Sequence, residues 1–358
     1  MRSYLDHNAT SPLRPEAKAA MLAAMDCCGN ASSVHGEGRA ARKLLDDARD
    51  QVAQAVGVIA PMVVFTSGGS EANNLALKGA PVQRLIVSAI EHPSVLGVAG
   101  KAAEIIPVDS SGTIDLAALE NLLKGPKALV SVMLANNETG VIQPVAEVVR
   151  LAEAHGALVH TDAVQALGKV PVNFGLLGVD MMTVSAHKLG GPSGAGALIV
   201  RDGLALEPLI NGGGQELRRR AGTENIPAIS GFGAIARSTT GNVKPLRDRL
   251  EAGLECAVIF GRDATRLPNT SCFAAPGLRA ETLLMALDLE GIAVSSGSAC
   301  SSGKVAKSHV LAAMGAAPEI SQGAIRVSLG WNTAEADIEN FIAAWRKIAS
   351  RHKARAAA

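Results

Sequence analysis

Two adjacent glycines follow an apolar run in the segment Phe65-Thr-Ser-Gly-Gly-Ser70. The pattern predicts a turn between a strand and a helix, and such a turn aims free backbone N–H groups and the positive end of the helix at one point. A phosphate group fits there, with Gly69 and the Ser70 hydroxyl as ligands. The alternative is a plain strand–helix turn in which Ser70 caps the helix. The segment matches neither a Walker A loop nor G-x-G-x-x-G.

A carboxylate ends a second apolar run, at Asp162 in Val159-His-Thr-Asp162-Ala-Val-Gln165. A buried acid at this point requires a cationic partner or hydrogen bonds. Such an acid can hold the nitrogen of a pyridine ring in its protonated form, which keeps the ring an effective electron sink. Capping of the next helix is the commoner role of an acid in this position, and the pattern leaves both roles open.

A lysine follows a third apolar run, in Thr183-Val-Ser185-Ala-His187-Lys188, and a glycine-rich turn comes next. Beside a bound aldehyde, the Lys188 amine can form a Schiff base, and desolvation lowers its pKa enough for it to act as a base. Ser185 and His187 are close enough to contact the phosphate that Ser70 would bind. Taken alone, a lysine here is more often a solvated surface charge.

Alternation of apolar and polar residues predicts a half-buried strand over Ala324-Ile-Arg326-Val-Ser328-Leu. Ile325, Val327 and Leu329 share one face, and Arg326 shares the other with Ser328. An arginine on such a strand favours a carboxylate partner, which its fork binds through two hydrogen bonds. That partner is either a substrate carboxylate or an acid of the protein itself.

Cys300 lies among small residues only, in Ser295-Ser-Gly-Ser-Ala-Cys300-Ser-Ser-Gly303. No side chain of this stretch can anchor it in a core, so we expect a loop in which the thiol can meet different partners. The alternative is an incidental cysteine in a linker. The other cysteines form no C-x-x-C pair and no zinc-ligand spacing, and we expect them to be structural thiols. They are Cys27, Cys28, Cys256 and Cys272.

Short apolar runs alternate with helical stretches from about residue 60 to 205, which predicts an α/β fold with a mainly parallel central sheet. The ligand crevice of such a sheet lies at the carboxyl ends of its strands. We expect a large domain over 14–244, and a smaller α+β domain that is made of 1–13 and 245–358 and carries the Cys300 loop. The predicted strands of the large domain are 62–66, 84–88, 104–108, 127–134, 157–161, 180–185 and 196–200.

The composition excludes several classes of protein. The 358 residues are 48% hydrophobic and 19% charged, with a net charge of +1, so there is no electrostatic case for binding nucleic acid or an anionic membrane. No apolar run reaches the ~18–20 residues of a membrane span. The N-terminus lacks the apolar stretch of a secretory signal, and we expect a cytoplasmic protein.

The sequence contains a phosphate turn, an acid and Ser-x-His-Lys, in this order and each at a predicted strand end. This series resembles that of the fold type I enzymes that bind pyridoxal 5'-phosphate (PLP). Further segments resemble the cysteine desulfurases, class V aminotransferase relatives that feed iron–sulfur cluster assembly. The resemblance runs from residue 4 to about 330. Those segments are Tyr4-Leu-Asp-His-Asn-Ala-Thr-Ser-Pro12, Asn30-Ala-Ser-Ser-Val-His35 with Gly38-Arg39, Ala135-Asn-Asn137-Glu-Thr-Gly140, Arg219-Arg-Ala-Gly-Thr223 and Ser295-Ser-Gly-Ser-Ala-Cys300.

The resemblance implies a role for each matching residue. Lys188 is similar to the Schiff-base lysine, and Asp162 to the partner of the pyridinium nitrogen. His92 matches the imidazole that stacks on the ring and moves protons, although alone it would more often be structural. Gln165 matches the side chain that hydrogen-bonds the phenolic oxygen of the ring. The implied cofactor contacts are Gly69, Ser70, His92, Asn137, Asp162, Gln165, Ser185, His187, Lys188 and Thr223, with Thr223 donated by the second subunit of a homodimer.

The implied reaction removes sulfur from L-cysteine. Cys300 attacks as a thiolate, keeps the sulfur as a persulfide and passes it to an acceptor or cluster-scaffold protein, while L-alanine leaves. Asn137 and Arg326 match contacts to the substrate carboxylate. The long run between Cys300 and His309 resembles the first group of desulfurases and favours cysteine over selenocysteine. No metal is implied, apart from a transient cluster that Cys300 could bind.

Two other functions remain open at this point. A selenocysteine lyase or a small-substrate PLP aminotransferase would tolerate replacement of Cys300. A non-catalytic sulfur carrier with the same fold would form no Schiff base, and Lys188 would be dispensable.

Overall fold

Strands and helices alternate along the computed structural model, which describes residues 2–297 and 307–356, with side chains as far as residue 351. The strands are β1 (Ser3–Tyr4), β2 (Val63–Thr66), β3 (Arg84–Ser88), β4 (Glu104–Ile106), β5 (Ala128–Ser131), β6 (Leu158–Asp162), β7 (Met181–Ser185), β8 (Gly196–Val200), β9 (Val258–Ile259), β10 (Thr270–Ala274), β11 (Ile292–Ala293), β12 (Ser295–Ser296) and β13 (Ile325–Ser328).

The helices are α1 (Pro15–Met25), α2 (Gly36–Val56), α3 (Gly69–Gly79), α4 (Pro93–Ala99), α5 (Leu116–Leu123), α6 (Val145–Ala154), α7 (Phe174–Leu177), α8 (Ile226–Ile235), α9 (Lys244–Ala252), α10 (Ala280–Leu289), α11 (His309–Ala313), α12 (Pro318–Ser321) and α13 (Glu335–Ala356). Short 3-10 turns cover Ala60–Met62, Gly100–Ala102, Ala186–Lys188 and Gln215–Arg218.

A seven-stranded sheet in the order β2-β8-β7-β6-β5-β3-β4 positions the predicted site. The pairings from β7 through β4 are parallel, and β8 is antiparallel to both of its neighbours. The carboxyl ends of β2, β3, β5, β6 and β7 therefore lie at one edge, where polar residues follow each strand. The α/β fold with a mainly parallel sheet is confirmed.

The strands of this sheet are apolar because both of its faces are covered. On β2, Val63 and Phe65 belong to one core, which α2 and α8 also line, whereas Val64 points to the opposite face. The opposite face packs against α3, where Leu75 is buried. This period of two is the signature of a strand between two helical layers.

A second, antiparallel sheet has the order β12-β13-β10-β9 and packs against α10 and α13. Ile325, Val327 and Leu329 lie in its core, as the alternation predicts, and Phe273 packs edge-on against Trp345 at 5.4 Å between ring centres. The chain start joins this unit, because β1 pairs with β11 and Leu5 is buried in the same core. These contacts support the proposed division into 14–244 and 1–13 with 245–358, which stays a prediction.

The predicted strands of the large sheet agree with the observed ones to within a few residues. Within the described part of the chain, none of the helices combines the length and the apolar character that crossing a membrane requires. In the same residues, His, Cys, Asp and Glu side chains form no cluster that could hold a metal ion.

The core of the second sheet gives a test of stability. Phe273 is fully buried, and its ring contacts Phe341 and Trp345. We expect Phe273→Ala to lower the free energy of unfolding by about 3–5 kcal/mol in urea titrations followed by circular dichroism. Met285 on α10 is exposed, so Met285→Ala is the control and should change that free energy by less than about 0.5 kcal/mol. Equal losses in the two variants would contradict this core.

Candidate active site

A cavity of ≈ 280 Å³ opens at the carboxyl edge of the large sheet. Most of the predicted site residues line it, although they are spread over more than 250 positions of the sequence between Gly69 and Arg326. The predicted residues in its wall are Gly69, Ser70, His92, Asn137, Asp162, Gln165, Ser185, His187, Lys188 and Arg326.

Two hydrogen bonds orient the Asp162 carboxylate at the end of β6. Oδ2 accepts from Asn73 Nδ2 at 2.7 Å, and Oδ1 accepts from the backbone N of Val164 at 2.9 Å. The second bond closes a turn, but no helix begins there, since the next one, α7, starts at Phe174, so the helix-capping alternative of the sequence is wrong. The residue is buried and still lines the cavity, so the same carboxylate can hold the proton of a ring nitrogen.

Lys188 lies in the short turn Ala186–Lys188 that follows β7, and its side chain reaches the cavity. Nζ donates to the backbone oxygens of Asn8 and Ala9, at 2.8 and 2.7 Å. The lysine is therefore held by the protein at the wall of the cavity and is no solvated surface charge.

The opposite end of the cavity fits a phosphate. Helix α3 begins at Gly69, so its first backbone N–H groups and its positive end face the cavity beside Ser70. The Ser185 hydroxyl is buried and has no hydrogen-bond partner among the described residues, which is costly unless a ligand supplies one. Position 196 at the start of β8 requires glycine, because a Cβ there would lie 2.7 Å from the backbone of Gly68.

His187 also borders this end of the cavity and contacts Thr10 Oγ1 through Nδ1 at 3.3 Å. Burial lowers the pKa of His187 to about 4, and the charges of Lys188 and Lys169 act in the same direction. The imidazole is therefore neutral near pH 7 and can donate one hydrogen bond to a phosphate oxygen.

His92 caps α4, and its Nδ1 accepts from the backbone N of Ser94 at 3.1 Å. Burial is the main cause that lowers the pKa of His92, and the charge of Asp162 opposes the shift. A neutral ring whose Nδ1 is an acceptor carries its proton on Nε2. His92 therefore has a structural role as the cap of α4, and its side chain also lines the cavity.

Arg326 is fully buried on β13 and forms the internal ion pair that the sequence left open. Nη2 lies 2.8 Å from Asp6 Oδ1, and Nη1 donates to the backbone oxygen of Asn137 at 3.0 Å. Nε has no partner among the described residues, and the side chain lines the cavity. The contact to a substrate carboxylate stays a prediction.

Among the described residues, Thr223 is the predicted residue that does not line this cavity. Thr223 is exposed and lines a separate pocket with Ser67 and Gly194, beside the outer side of the glycine turn. Cys300 lies outside the described residues. The chain resumes close to the cavity, where Ser308 Oγ donates to Glu138 and His309 Nε2 contacts the backbone oxygen of Glu91 at 2.9 Å.

The structural role predicted for four other cysteines holds only in part. Cys272 is fully buried, and burial raises the pKa of its thiol far above the ordinary range. Cys27 is half-buried and packs against the core of the large sheet, whereas Cys28 and Cys256 are exposed and not packed in a core.

Four polar residues of the site were missed from the sequence, namely Asn8, Asn73, Ser94 and Lys169. Asn73 bridges Asp162 to Ser94, because its Nδ2 also donates to Ser94 Oγ at 2.9 Å. Its position three residues after Ser70 on the same helix was an available signal. Asn8 and Lys169 approach the cavity only through the tertiary fold, and no local pattern distinguishes them.

The comparisons with known proteins agree with this geometry. The family model described as aminotransferase class-V matches residues 3–341. The chain belongs to this family of PLP-dependent enzymes, and the cavity has the amine, the acid and the phosphate cradle that PLP requires.

Within the family, the chain is similar to proteins named cysteine desulfurase. It is 45% identical to the cysteine desulfurase of Cereibacter sphaeroides, over 95% of this chain and 94% of that protein. It is 39% identical to "Cysteine desulfurase IscS" of Dictyoglomus turgidum, over 94% and 91%. The solved structure of a NifS-like protein from Rickettsia africae has a TM-score of 0.91 and 38% identity, covering 98% of this chain and all of that one. A structure titled "SspA in complex with cysteine" gives 0.83 and 30%, over 93% and 100%.

Glu91 provides a test of the electrostatics behind the site. Oε1 accepts from Ser88 Oγ and from the backbone N of Met133, whereas Oε2 is buried without a partner. Burial raises the pKa of the carboxyl from 4.5 to about 8. The unfolded chain releases this proton near the lower value, so the free energy of unfolding contributed by the site is lost as the pH rises from about 4.5 towards 8.

Glu91→Gln keeps the acceptor oxygen and cannot ionise. We therefore expect the free energy of unfolding of the variant, relative to wild type, to increase by a few kcal/mol between about pH 5 and about pH 9. Urea titrations across this range measure it. Parallel pH curves for the two proteins would contradict a buried, protonated Glu91.

Proposed function

We propose that this chain is a cysteine desulfurase, which converts L-cysteine to L-alanine and transfers the sulfur to Cys300. The observation that carries the proposal is the joint presence of Lys188, Asp162 and Arg326 in the wall of one cavity. An amine, an acid for a ring nitrogen and a cation for a carboxylate are the groups that an amino-acid substrate and PLP require together. The names of the relatives support cysteine as that amino acid.

Residues in the wall of the cavity would hold the cofactor. The start of α3, with Ser70, Ser185 and His187, would bind the phosphate, and Asp162 would keep the ring nitrogen protonated. When it is bound, PLP supplies an electron sink joined covalently to the substrate nitrogen, which acidifies the Cα hydrogen and labilises the Cβ substituent. Asn73 fixes the Asp162 carboxylate so that it meets the ring in a single orientation.

The proton transfers fall to two side chains of the cavity. Lys188, once its amine is free, accepts the Cα proton of the substrate and returns it. His92 is neutral with its proton on Nε2, so it can exchange a proton with the sulfur side of the substrate. Arg326, whose side chain lines the cavity, would bind the substrate carboxylate and align the Cα hydrogen.

Cys300 completes the reaction as the sulfur acceptor. Its thiolate attacks the substrate sulfur, an S–S bond forms, and the C–S bond breaks with its electron pair going to carbon. Carbon is reduced to the methyl group of alanine, sulfur is oxidised to the persulfide level, and no external oxidant is needed. The persulfide then passes to an acceptor protein, for iron–sulfur cluster assembly or another sulfur-transfer pathway.

Turnover of L-cysteine tests this function, with alanine and sulfide measured in the same reaction. We expect Cys300→Ser to lose sulfide release by on the order of a hundredfold or more, because the variant has no nucleophile for the substrate sulfur. Cys256 is exposed and outside the cavity, so Cys256→Ser is the matched control and should keep full turnover. Undiminished turnover in Cys300→Ser, with cysteine or with selenocysteine, would instead favour a lyase or an aminotransferase.

A homodimer is the second part of the proposal. Thr223 is exposed beside the glycine turn, and apolar side chains nearby in sequence are also exposed, namely Leu209, Ile210 and Leu217. An apolar surface next to a phosphate site is what a partner subunit would cover while it donates Thr223 to the phosphate.

Subunit mixing tests the shared site. Lys188→Ala removes the amine, and Thr223→Glu sets a negative charge against the partner's phosphate, so each variant alone should be inactive. After subunit exchange, mixed dimers contain one intact site, and we expect about a quarter of the wild-type turnover per site. No recovery in a mixture that light scattering shows to be dimeric would contradict donation of Thr223 across the interface.

A further inference from the structure

A second lysine lies beside the cavity without an acid to balance it. Lys169 is buried, and its Nζ donates to Gln165 Oε1 at 2.6 Å and to Asn8 Oδ1 at 2.8 Å. Both acceptors are neutral amides, and among the described residues no carboxylate forms an ion pair with Lys169. Lysine is rarely buried unless it is paired, so a buried ammonium held only by amide oxygens calls for a functional reason.

The ammonium group dictates how the two amides are turned. Because Lys169 has donors only, it must face the oxygen of each amide. Gln165 therefore presents its NH₂ group away from Lys169, where Nε2 donates to the backbone oxygen of Asn8 at 3.0 Å. Asn8 likewise turns its own Nδ2 to Thr270 Oγ1, at 2.9 Å. In the wall of the cavity, Gln165 is thus fixed as a donor for any ligand oxygen beside it.

The same contact brings two amines together. Asn8 accepts from Lys169 through its side chain and from Lys188 through its backbone oxygen, each at 2.8 Å. Two ammonium groups on one residue, away from water, oppose each other's protonation. Burial and the charges of Lys188 and Arg326 accordingly hold the pKa of Lys169 well below its ordinary value.

We propose that Lys169 is a positioning residue of the PLP site, which turns the Gln165 amide so that it donates to a cofactor oxygen and sets a second positive charge beside the Lys188 amine. The proposal rests on the roles proposed above for Lys188 and Gln165. Packing alone does not explain a buried charge at this position, because an apolar side chain of similar length would fill the same space without the cost of desolvation.

The charged and titratable groups around the Lys188 amine set the background for the test. They come from β6, the start of α4, the turn before Lys188, β13 and the turn after Gln165, and they are Asp162, His92, His187, Arg326 and Lys169. Of these, only Lys169 shares a hydrogen-bonding residue with Lys188 and is itself outside the cavity wall. Its charge can therefore be changed without removing a wall residue.

A pH titration of the visible absorbance band of the PLP-loaded protein, without substrate, measures the effect of that charge. We expect Lys169→Met to raise the midpoint by about one pH unit or more, because the Lys188 nitrogen then protonates without a neighbouring cation. Lys169→Gln, which keeps an N–H donor but no charge, should raise it similarly, and Lys169→Arg should restore it. Lys101 is exposed and remote from the cavity, so Lys101→Met is the control with an unchanged midpoint.

A double-mutant cycle in the dissociation constant of PLP tests the orientation of the amide. Gln165→Ala should weaken PLP binding several-fold in the wild-type background and much less in Lys169→Met, because that background no longer fixes the donor. If Lys169→Met is poorly folded, the titration is made on Lys169→Gln, and the cycle on Lys169→Leu, which also lacks a donor.

The outcomes separate this inference from the proposed function. An unchanged midpoint in the neutral variants, or additive effects of Gln165→Ala and the Lys169 change, would overturn the role of Lys169. A merely structural lysine would lower the cofactor content of every variant and leave the midpoint of the loaded fraction unmoved. Retention of the visible band in Lys188→Ala would instead refute the role proposed for Lys188, whatever Lys169 does.

Discussion

The carboxyl edge of the large sheet holds charged side chains that are largely shielded from water. The architecture of the site follows from this constraint. An unpaired buried charge is too costly to persist, so each one here has its own set of dipoles or ions. Asp162 has an amide and a backbone N–H, Lys188 has two backbone carbonyls, and Arg326 has Asp6 and a carbonyl. These partners hold the side chains in single orientations, which is what catalysis at a fixed ring requires.

The segment from Asp6 to Ala9 is the element that supplies half of these partners. Asn8 alone contacts Lys169, Lys188 and Gln165, and its backbone N donates to Ser328 Oγ at 2.9 Å. The segment therefore lies between the carboxyl edge of the large sheet and the second sheet. Its short length without a helix or strand of its own leaves its carbonyl groups free to serve the lysines.

The regular part of the fold could be predicted from the sequence because it depends on local pattern. Apolar strand runs and the helices between them agree with the structure, and polar residues at strand ends meet in one cavity as the topology of parallel sheets demands. Helix α8 was not predicted, because its residues are apolar on nearly all sides and include two glycines, so no stripe of period 3.6 appears. The two-residue strands β1, β9, β11 and β12 are too short for alternation to show.

The supporting residues of the site could not be predicted in the same way. Lys169 has the same local context as any surface lysine, and Asn73 differs from Asn74 only in which side of α3 it occupies. For Arg326, pattern alone permitted either an internal or a ligand carboxylate, and the choice depends on Asp6, which is 320 positions away. Partners so far apart in the sequence are brought together by the tertiary fold, which local sequence patterns do not reveal.

The long sequence separation between Asn8 and the residues that hold it affects the order in which the site forms during synthesis. The strands of the large sheet are complete once the chain has grown past Val200, and α8, which covers one of its faces, is complete at Ile235, so this layer can assemble early during synthesis. Asn8 reaches its final place only when Thr270 and Ser328 have left the ribosome, because these residues hold it. The pocket for the cofactor therefore closes late on a nascent chain, and a truncated product that ends before β13 would contain the sheet without a finished lysine environment.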